Sequence, residues 1–319
     1  MSLFDGGYTI RRFALSPRRL ALWILTAAVL ASLPFVVYPV FLMKAMCFML
    51  FACAFNLMLG FAGLLSFGHA AFFGTASYVV AHALKVWGLT PELAVALSVL
   101  AAAFLGLLFG LVAIRRQGIY FAMITLALSQ MIFFFALQAP FTGGEDGIQG
   151  VTRQPLFGVI DISNNLTLYF VVLVVFLFGL FVVYRTVHSP FGQILKAIRE
   201  SEPRAISLGY RVDHYKLTAF VISAALSGLA GGTKALIVQV ASLTDIGWQM
   251  SGEVILMTLL GGMGTVFGPA VGAVVVVTLQ NYLNAFGSLV SIVIGVIFVI
   301  CVLLFRRGIV GEIQARIGR

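Results

Sequence analysis

Lys234 stands within AALSGLAGGTKALIVQVA, residues 224–241, a stretch with no other charge. At a helix centre in lipid a lysine costs on the order of 2.5–3.5 kcal/mol on insertion scales, so it must face a cavity, pair with an acid or a substrate carboxylate, or snorkel to the interface. Glu253 opens the next apolar run. There a carboxylate could complement a helix N-terminus, pair with Lys234, or act as a gate or contact for an amino-acid ammonium. His69 follows a glycine-rich break, Gly60 to Gly68, and either lines a path beside Ser66 or packs, neutral, against a freed carbonyl. None of these groups assembles a reaction centre. His69, His82, His188 and His214 lack the spacing of a helical metal pair, and no Ser, His and Asp set shares one polar pocket. The nearest string to a phosphate-binding loop, Gly228 to Lys234, has the wrong spacing and sits in a span. The chain is therefore expected to be no enzyme and to bind no metal or cofactor, and ATP would have to be handled elsewhere.

The elements that must position these residues are membrane helices. The 319 residues are 61% hydrophobic and 10% charged, against ~25% charge in ordinary soluble domains. So little polar side chain cannot cover a water-facing surface, and lipid must be the solvent for most of the chain. Uncharged stretches run over 20–43, 45–84, 93–114, 117–144, 162–184, 217–233 and 254–305. A crossing needs about 20 apolar residues, so 45–84 and 254–305 hold two or three each, and 217–233 reaches full length by passing Lys234 to about Ala241. The first run follows Arg11, Arg12, Arg18 and Arg19 and reads as a retained span, since no convincing cleavage site follows it. Cys47, Cys53 and Cys301 lie in apolar runs, with no metal or disulfide pattern.

The formal charge of +9 encodes orientation. Placing 1–19, 115–116, 185–216 and 306–319 in the cytoplasm gathers 16 of the 20 basic residues and five of the 11 acids there, a net of +11 that leaves −2 for the remainder. The expected fold is an all-α polytopic membrane protein with eight or ten crossings. It comprises an N-terminal segment 1–19, a transmembrane domain 20–305 with a cytoplasmic loop at 185–216, and a tail at 306–319. Nucleic acid is not an expected partner of so apolar a basic chain.

Both long runs are broken by glycine in the same way. Leu59-Gly60-x-x-Gly63 recurs as Leu260-Gly261-x-x-Gly264, and Phe67-Gly68-His69-Ala70 as Phe267-Gly268-Pro269-Ala270. Two accounts are open: an internal repeat whose unwound segments line a path, or the ordinary frequency of glycine at helix crossings in lipid.

The loop 185–216 reads as two short helices. Ser189-Pro190 starts the first, Phe191 to Ser201, Pro203 suits the first turn of the second, and Gly209 stops it. Phe191, Ile194, Leu195 and Ile198 form an apolar ridge beside Lys196, Arg199 and Arg204. Such a ridge either docks in a groove on a cytosolic partner or lies on anionic lipid.

Within this loop Glu202-x-x-Ala205-x-x-x-Gly209 resembles the coupling-loop signature of permease subunits in ATP-binding-cassette importers. More narrowly, SPFGQILKAIRESEPRAISLGYRVDHYKLTAFVISAALSGLAGG, residues 189–232, is similar to LivM-type permeases of branched-chain amino acid importers. GLLSFGHAAF at 63–72, EVILMTLLGGMGTVFGPAVG at 253–272 and AMITLA at 122–127 resemble further blocks of that family, in family order over roughly 56–275. Lys234 departs from the pattern, which has a small or apolar residue there.

The resemblance implies a bilayer-embedded subunit of the inner membrane, partnered by a homologous permease chain. Two cytosolic subunits would use ATP and Mg, and an external solute-binding protein would deliver ligand. It implies coupling through Phe191, Gly192, Ile194, Leu195, Ile198, Arg199, Glu202, Ala205 and Gly209. The expected path is lined by Ser66, His69, Thr125, Lys234, Glu253, Gly261 and Gly264, with freed backbone groups meeting a zwitterion. Permeases for urea or short amides are similar. A stand-alone ion-coupled carrier using Lys234 and Glu253 is the reading from another class.

Overall fold

The computed structural model describes Thr26, residues 28–158 and 160–283, four positions between 293 and 299, and residues 308–317. Most of the first expected span and the last part of the 254–305 run lie outside the described residues. The remainder is all-α, as expected. The helices are α1 (Pro39–Asn56), α2 (His69–Lys85), α3 (Pro91–Ala113), α4 (Ile119–Gln138), α5 (Asn165–Val187), α6 (Pro190–Glu200), α7 (Glu202–Ser207), α8 (Val212–Val238), α9 (Trp248–Gly261), α10 (Gly268–Leu283) and α11 (Gly308–Ile317). A widened π turn, Leu57–Ala62, continues α1. Among the described residues five helices are long and apolar enough to cross a membrane: α1 with its π turn, α3, α4, α5 and α8. At 14 and 16 residues, α9 and α10 fall short of the ~30 Å hydrocarbon thickness at ~1.5 Å per residue.

Local chemistry sets the boundaries. Pro39 and Pro91 occupy first turns, where a missing N–H costs nothing, and Asn164 caps α5 by accepting from Leu166 N at 3.0 Å. Around α1, buried almost throughout, pack α5, α8, α9 and α10; α2 and α3 close on the other side of α8. One end of the bundle carries Arg115, Arg116, α6 and α7 and is basic. At the opposite end the segment 139–164 is tied down by a two-residue antiparallel pairing, β1 (Ile148–Gln149) with β2 (Val240–Ala241).

Lipid gives helices no hydrophobic reason to associate, so close approach through small residues holds α8 to its neighbours. A β-carbon on Gly106 would lie 2.4 Å from Ala224 Cβ, and one on Gly228 2.3 Å from Ala102 Cβ. At Gly231 the approach is to backbone, with Phe73 O 2.0 Å away, and Ser77 Oγ donates to Gly231 O at 2.8 Å across the same crossing. Gly231→Ala is expected to destabilise the fold by about 1–3 kcal/mol, seen as a lower melting temperature in detergent. Gly252→Ala, a site with open space, is the control and should leave the melting temperature within error.

Candidate functional site

The two glycine breaks face each other near the basic end. A β-carbon on Gly60 would lie 2.6 Å from Gly264 N, and one on Gly264 3.4 Å from Gly60 O. In each break a helix ends, a left-handed glycine turns the chain (Gly63 φ 73, Gly264 φ 77), and a short irregular segment leads into the next helix, at His69 or Gly268. The matched blocks thus share a left-handed turn at Gly63 and Gly264, although Gly60 still lies within the π turn while its counterpart Gly261 ends α9. Asn56 spans them, its Oδ1 accepting from Gly264 N at 3.1 Å and its Nδ2 donating to Thr265 O at 2.8 Å.

Side chains cap several groups of the first break, where freed backbone was expected to meet a zwitterion. Ser66 Oγ accepts from Gly68 N at 3.1 Å, and Thr125 Oγ1 accepts from Phe67 N at 3.1 Å while donating to Ala122 O. Ser251 accepts from Ala70 N at 3.0 Å and donates to Phe67 O at 2.7 Å. With no water in the hydrocarbon, each unpaired group would cost several kcal/mol, so capping by hydroxyls is what permits the break. Sequence reasoning missed Asn56 and Ser251. Asn56 is an uncharged residue inside an apolar run, Ser251 lies in the short stretch between Asp245 and Glu253, and their partners lie about 200 positions away.

His69 packs as a neutral ring, though against a hydroxyl and not a carbonyl. Its Nε2 is 2.9 Å from Ser223 Oγ, and Phe55, Phe72 and Phe220 stand edge-on around it. Ser223 spends its single proton on Ala54 O at 2.5 Å. Nε2 must therefore carry the imidazole proton, which assigns the tautomer.

Lys234 neither snorkels nor meets Glu253. Its Nζ lies 2.6 and 2.7 Å from the two carboxylate oxygens of Asp245, with both side chains buried. Asp245 belongs to a short 3-10 turn, Leu243–Asp245, that dips into the bundle until a β-carbon on Gly74 would lie 2.7 Å from Ile246 N. Eleven residues separate the pair, a spacing that no helical or strand period marks. Glu253 lies in the second turn of α9, too far in to complement its N-terminus, and accepts from Gln280 Nε2 at 3.0 Å.

The loop folds as two helices with the expected limits. Ser189 caps α6, accepting from Gly192 N at 3.3 Å, and Gly192 is small because a β-carbon would lie 2.3 Å from Val187 O. Gly209, at φ 86, ends α7 with Tyr210 N donating to Ala205 O. The apolar ridge, however, turns inward. Leu195 and Ile198 are buried, Phe191 stacks on Tyr215, and Ile194 joins Ile198, Ala205 and Val212. Glu202 pairs with Lys216 of α8 at 2.6 Å. Arg199 reaches into the glycine breaks, its Nη1 donating to Gly60 O and its Cγ lying 2.9 Å from where a β-carbon on Gly63 would stand.

Comparison with known proteins matches residues 39–302 to the family described as "Branched-chain amino acid transport system / permease component". The chain belongs to this family. Among relatives, it is 28% identical over 287 residues to the high-affinity branched-chain amino acid transport system permease protein LivM of Salmonella typhimurium, covering 83% of this chain and 68% of that one; the Escherichia coli LivM gives the same figures. A probable LivM of Methanocaldococcus jannaschii is 28% identical over 129 residues, 38% of this chain and 37% of that protein. No solved structure matches.

In this permease, turning the ridge inward leaves other residues of the loop on the surface: Pro203, Arg204, Ile206, Leu208, Tyr210 and Arg211. Ile206 is 58% and Leu208 69% exposed, an apolar tip flanked by arginines. At the opposite end of the permease, Arg153 donates to Leu236 O and Ile237 O, supplying the last carbonyls of α8 with a cation. Asp161 in the same segment accepts from Ser163 N at 2.8 Å, a bond that holds its carboxyl below the ordinary carboxylate range.

Proposed function

We propose that this permease is one membrane half of an ATP-binding-cassette importer for branched-chain amino acids. Its basic end faces the cytoplasm, and the multi-pass bundle lies in the inner membrane. A homologous permease chain pairs with it, two cytosolic subunits bind ATP and Mg, and an external binding protein delivers the solute to the end carrying 139–164. This chain carries no ATPase site of its own. The exposed tip Ile206–Leu208 is the part that docks on the ATPase, while Leu195 and Ile198 anchor the loop to the bundle. Movement of the docked α6 and α7 then tilts the adjoining helices and switches access between two states.

The observation that carries this reading is the contact of Arg199 with Gly60, because it connects a surface loop directly to the unwound part of the membrane core. The test is the assembled complex in proteoliposomes, with ATPase activity and uptake measured as Leu, Ile, Val, other amino acids and urea are supplied. Stimulation and uptake with Leu, Ile or Val are expected, and Leu208→Asp should abolish copurification of the ATPase subunits. Stimulation by urea alone, or uptake by this chain without ATPases, would sink the proposal.

A further inference from the structure

At the end opposite the coupling loop, a cavity of about 370 Å³ lies between α2, α4 and the segment 141–148. Its walls are mainly aliphatic and aromatic, among them Val79, Leu105, Ile132, Ala136 and Ile246. Three lining residues on one face of α2, Thr75, Tyr78 and His82, follow the i, i+3, i+7 spacing of a helix. Thr75 Oγ1, Tyr78 Oη and His82 Nδ1 are all buried with no hydrogen-bond partner among the described residues, and Tyr78 is only 7% exposed. Elsewhere among the described residues only His69 Nδ1, Thr90 Oγ1 and Ser129 Oγ share that state, singly, while Ser66, Ser77, Thr125, Ser223, Ser251 and Thr258 all bond to backbone groups. A buried polar atom without a partner is costly, so three lining one apolar cavity point to something that binds there.

We propose that this cavity receives the transported amino acid, as a zwitterion with an aliphatic side chain, on its way through the permease; the inference rests on the function proposed above. The Thr75 and Tyr78 hydroxyls donate to the carboxylate. A neutral His82 protonated on Nε2 accepts from the ammonium at Nδ1. The side chain lies against Val79, Leu105, Ile132 and Ile246. The exit runs along α4, where Ser129 Oγ is also buried without a partner among the described residues. It is one turn from Ile132 on one side and from Thr125 on the other. Beyond them lies a groove of about 420 Å³ lined by Leu65, Phe67, Ala122 and Leu126 at the basic end.

The test is selectivity in the assembled, reconstituted importer, with the binding protein saturated by each solute in turn so that delivery is equal. Tyr78→Phe removes one hydroxyl without changing the packing shape and is expected to lower Leu uptake about tenfold, the loss of one hydrogen bond to a charged group. Ala136→Val narrows the cavity and Val79→Ala widens it. The first should raise the Val-to-Leu uptake ratio about fivefold and the second lower it, the scale of one or two methylenes in a pocket. A folding defect would lower all solutes together and leave the ratio fixed. If the wild-type importer takes up amino acids and the ratio stays fixed in both size variants, the cavity holds only water and the inference is overturned. If the wild type takes up none, the proposed function itself has failed.

Discussion

Arg199→Gln is expected to leave the importer assembled and its ATPase running while uptake per ATP hydrolysed falls by about five- to 150-fold. Gly60 O is among the last-turn carbonyls of the α1 and π segment that have no donor along the helix, and the Arg199 guanidinium supplies one. Removing that donor leaves a carbonyl unpaired at a cost of about 1–3 kcal/mol, which is the size of coupling energy that changes an equilibrium by that factor. The same side chain covers Gly63 and lies 3.2 Å from where a β-carbon on Gly264 would stand, so one arginine touches both glycine breaks. Arg199→Lys should recover part of the loss, since an ammonium can cap one carbonyl but lacks the planar fork. A covalent version separates coupling from folding. A β-carbon on Gly63 would lie 3.6 Å from Arg199 Cβ, within the 3.5–4.5 Å span of a disulfide. Gly63→Cys with Arg199→Cys should therefore couple when oxidised and uncouple when reduced, in one preparation. Equal uptake per ATP in both redox states would refute the link.

Asp245→Asn is expected to be among the most destabilising single changes named here. It leaves the Lys234 ammonium buried against a neutral amide, and breaking a buried ion pair from one side costs roughly 3–5 kcal/mol. Lys234→Met strands the carboxylate and should cost a similar amount. The double change Lys234→Met with Asp245→Leu removes both charges and should return most of the lost stability, because apolar replacement of a buried pair is often neutral or better. Melting temperatures in detergent of the wild type, Lys234→Met, Asp245→Leu and the double variant form the cycle. Additive losses in the double variant would mean that the two groups do not share one interaction.

Charge-free run lengths made the spans legible, because bilayer thickness acts directly on them. The run 93–114 became Pro91–Ala113 and 162–184 became Asn165–Val187, while 45–84 split at its glycines into α1 and α2. Residues with strong local preferences also made the loop legible: Ser189-Pro190 opened α6 and Gly209 closed α7. What Leu195 and Ile198 face was not, since helical periodicity defines an apolar stripe without saying what covers it. Lys234 marked itself by its cost, yet Asp245 gave no signal, because its burial depends on a turn dipping between helices. His69 stood out beside the glycine break and Thr125 within the block at 122–127, but whether they meet a solute or cap backbone depends on contacts with Ser223 and Phe67.

The Lys234–Asp245 pair bears on how the permease responds to voltage. Moving one elementary charge across a membrane potential is worth about 2.3 kcal/mol per 100 mV. A lone Lys234 shifting with α8 would carry part of that work in every cycle. Paired, the two side chains move as a unit of zero net charge, and the field does no work on them. A de-energised membrane and a fully polarised one therefore present the same barrier to this part of the bundle.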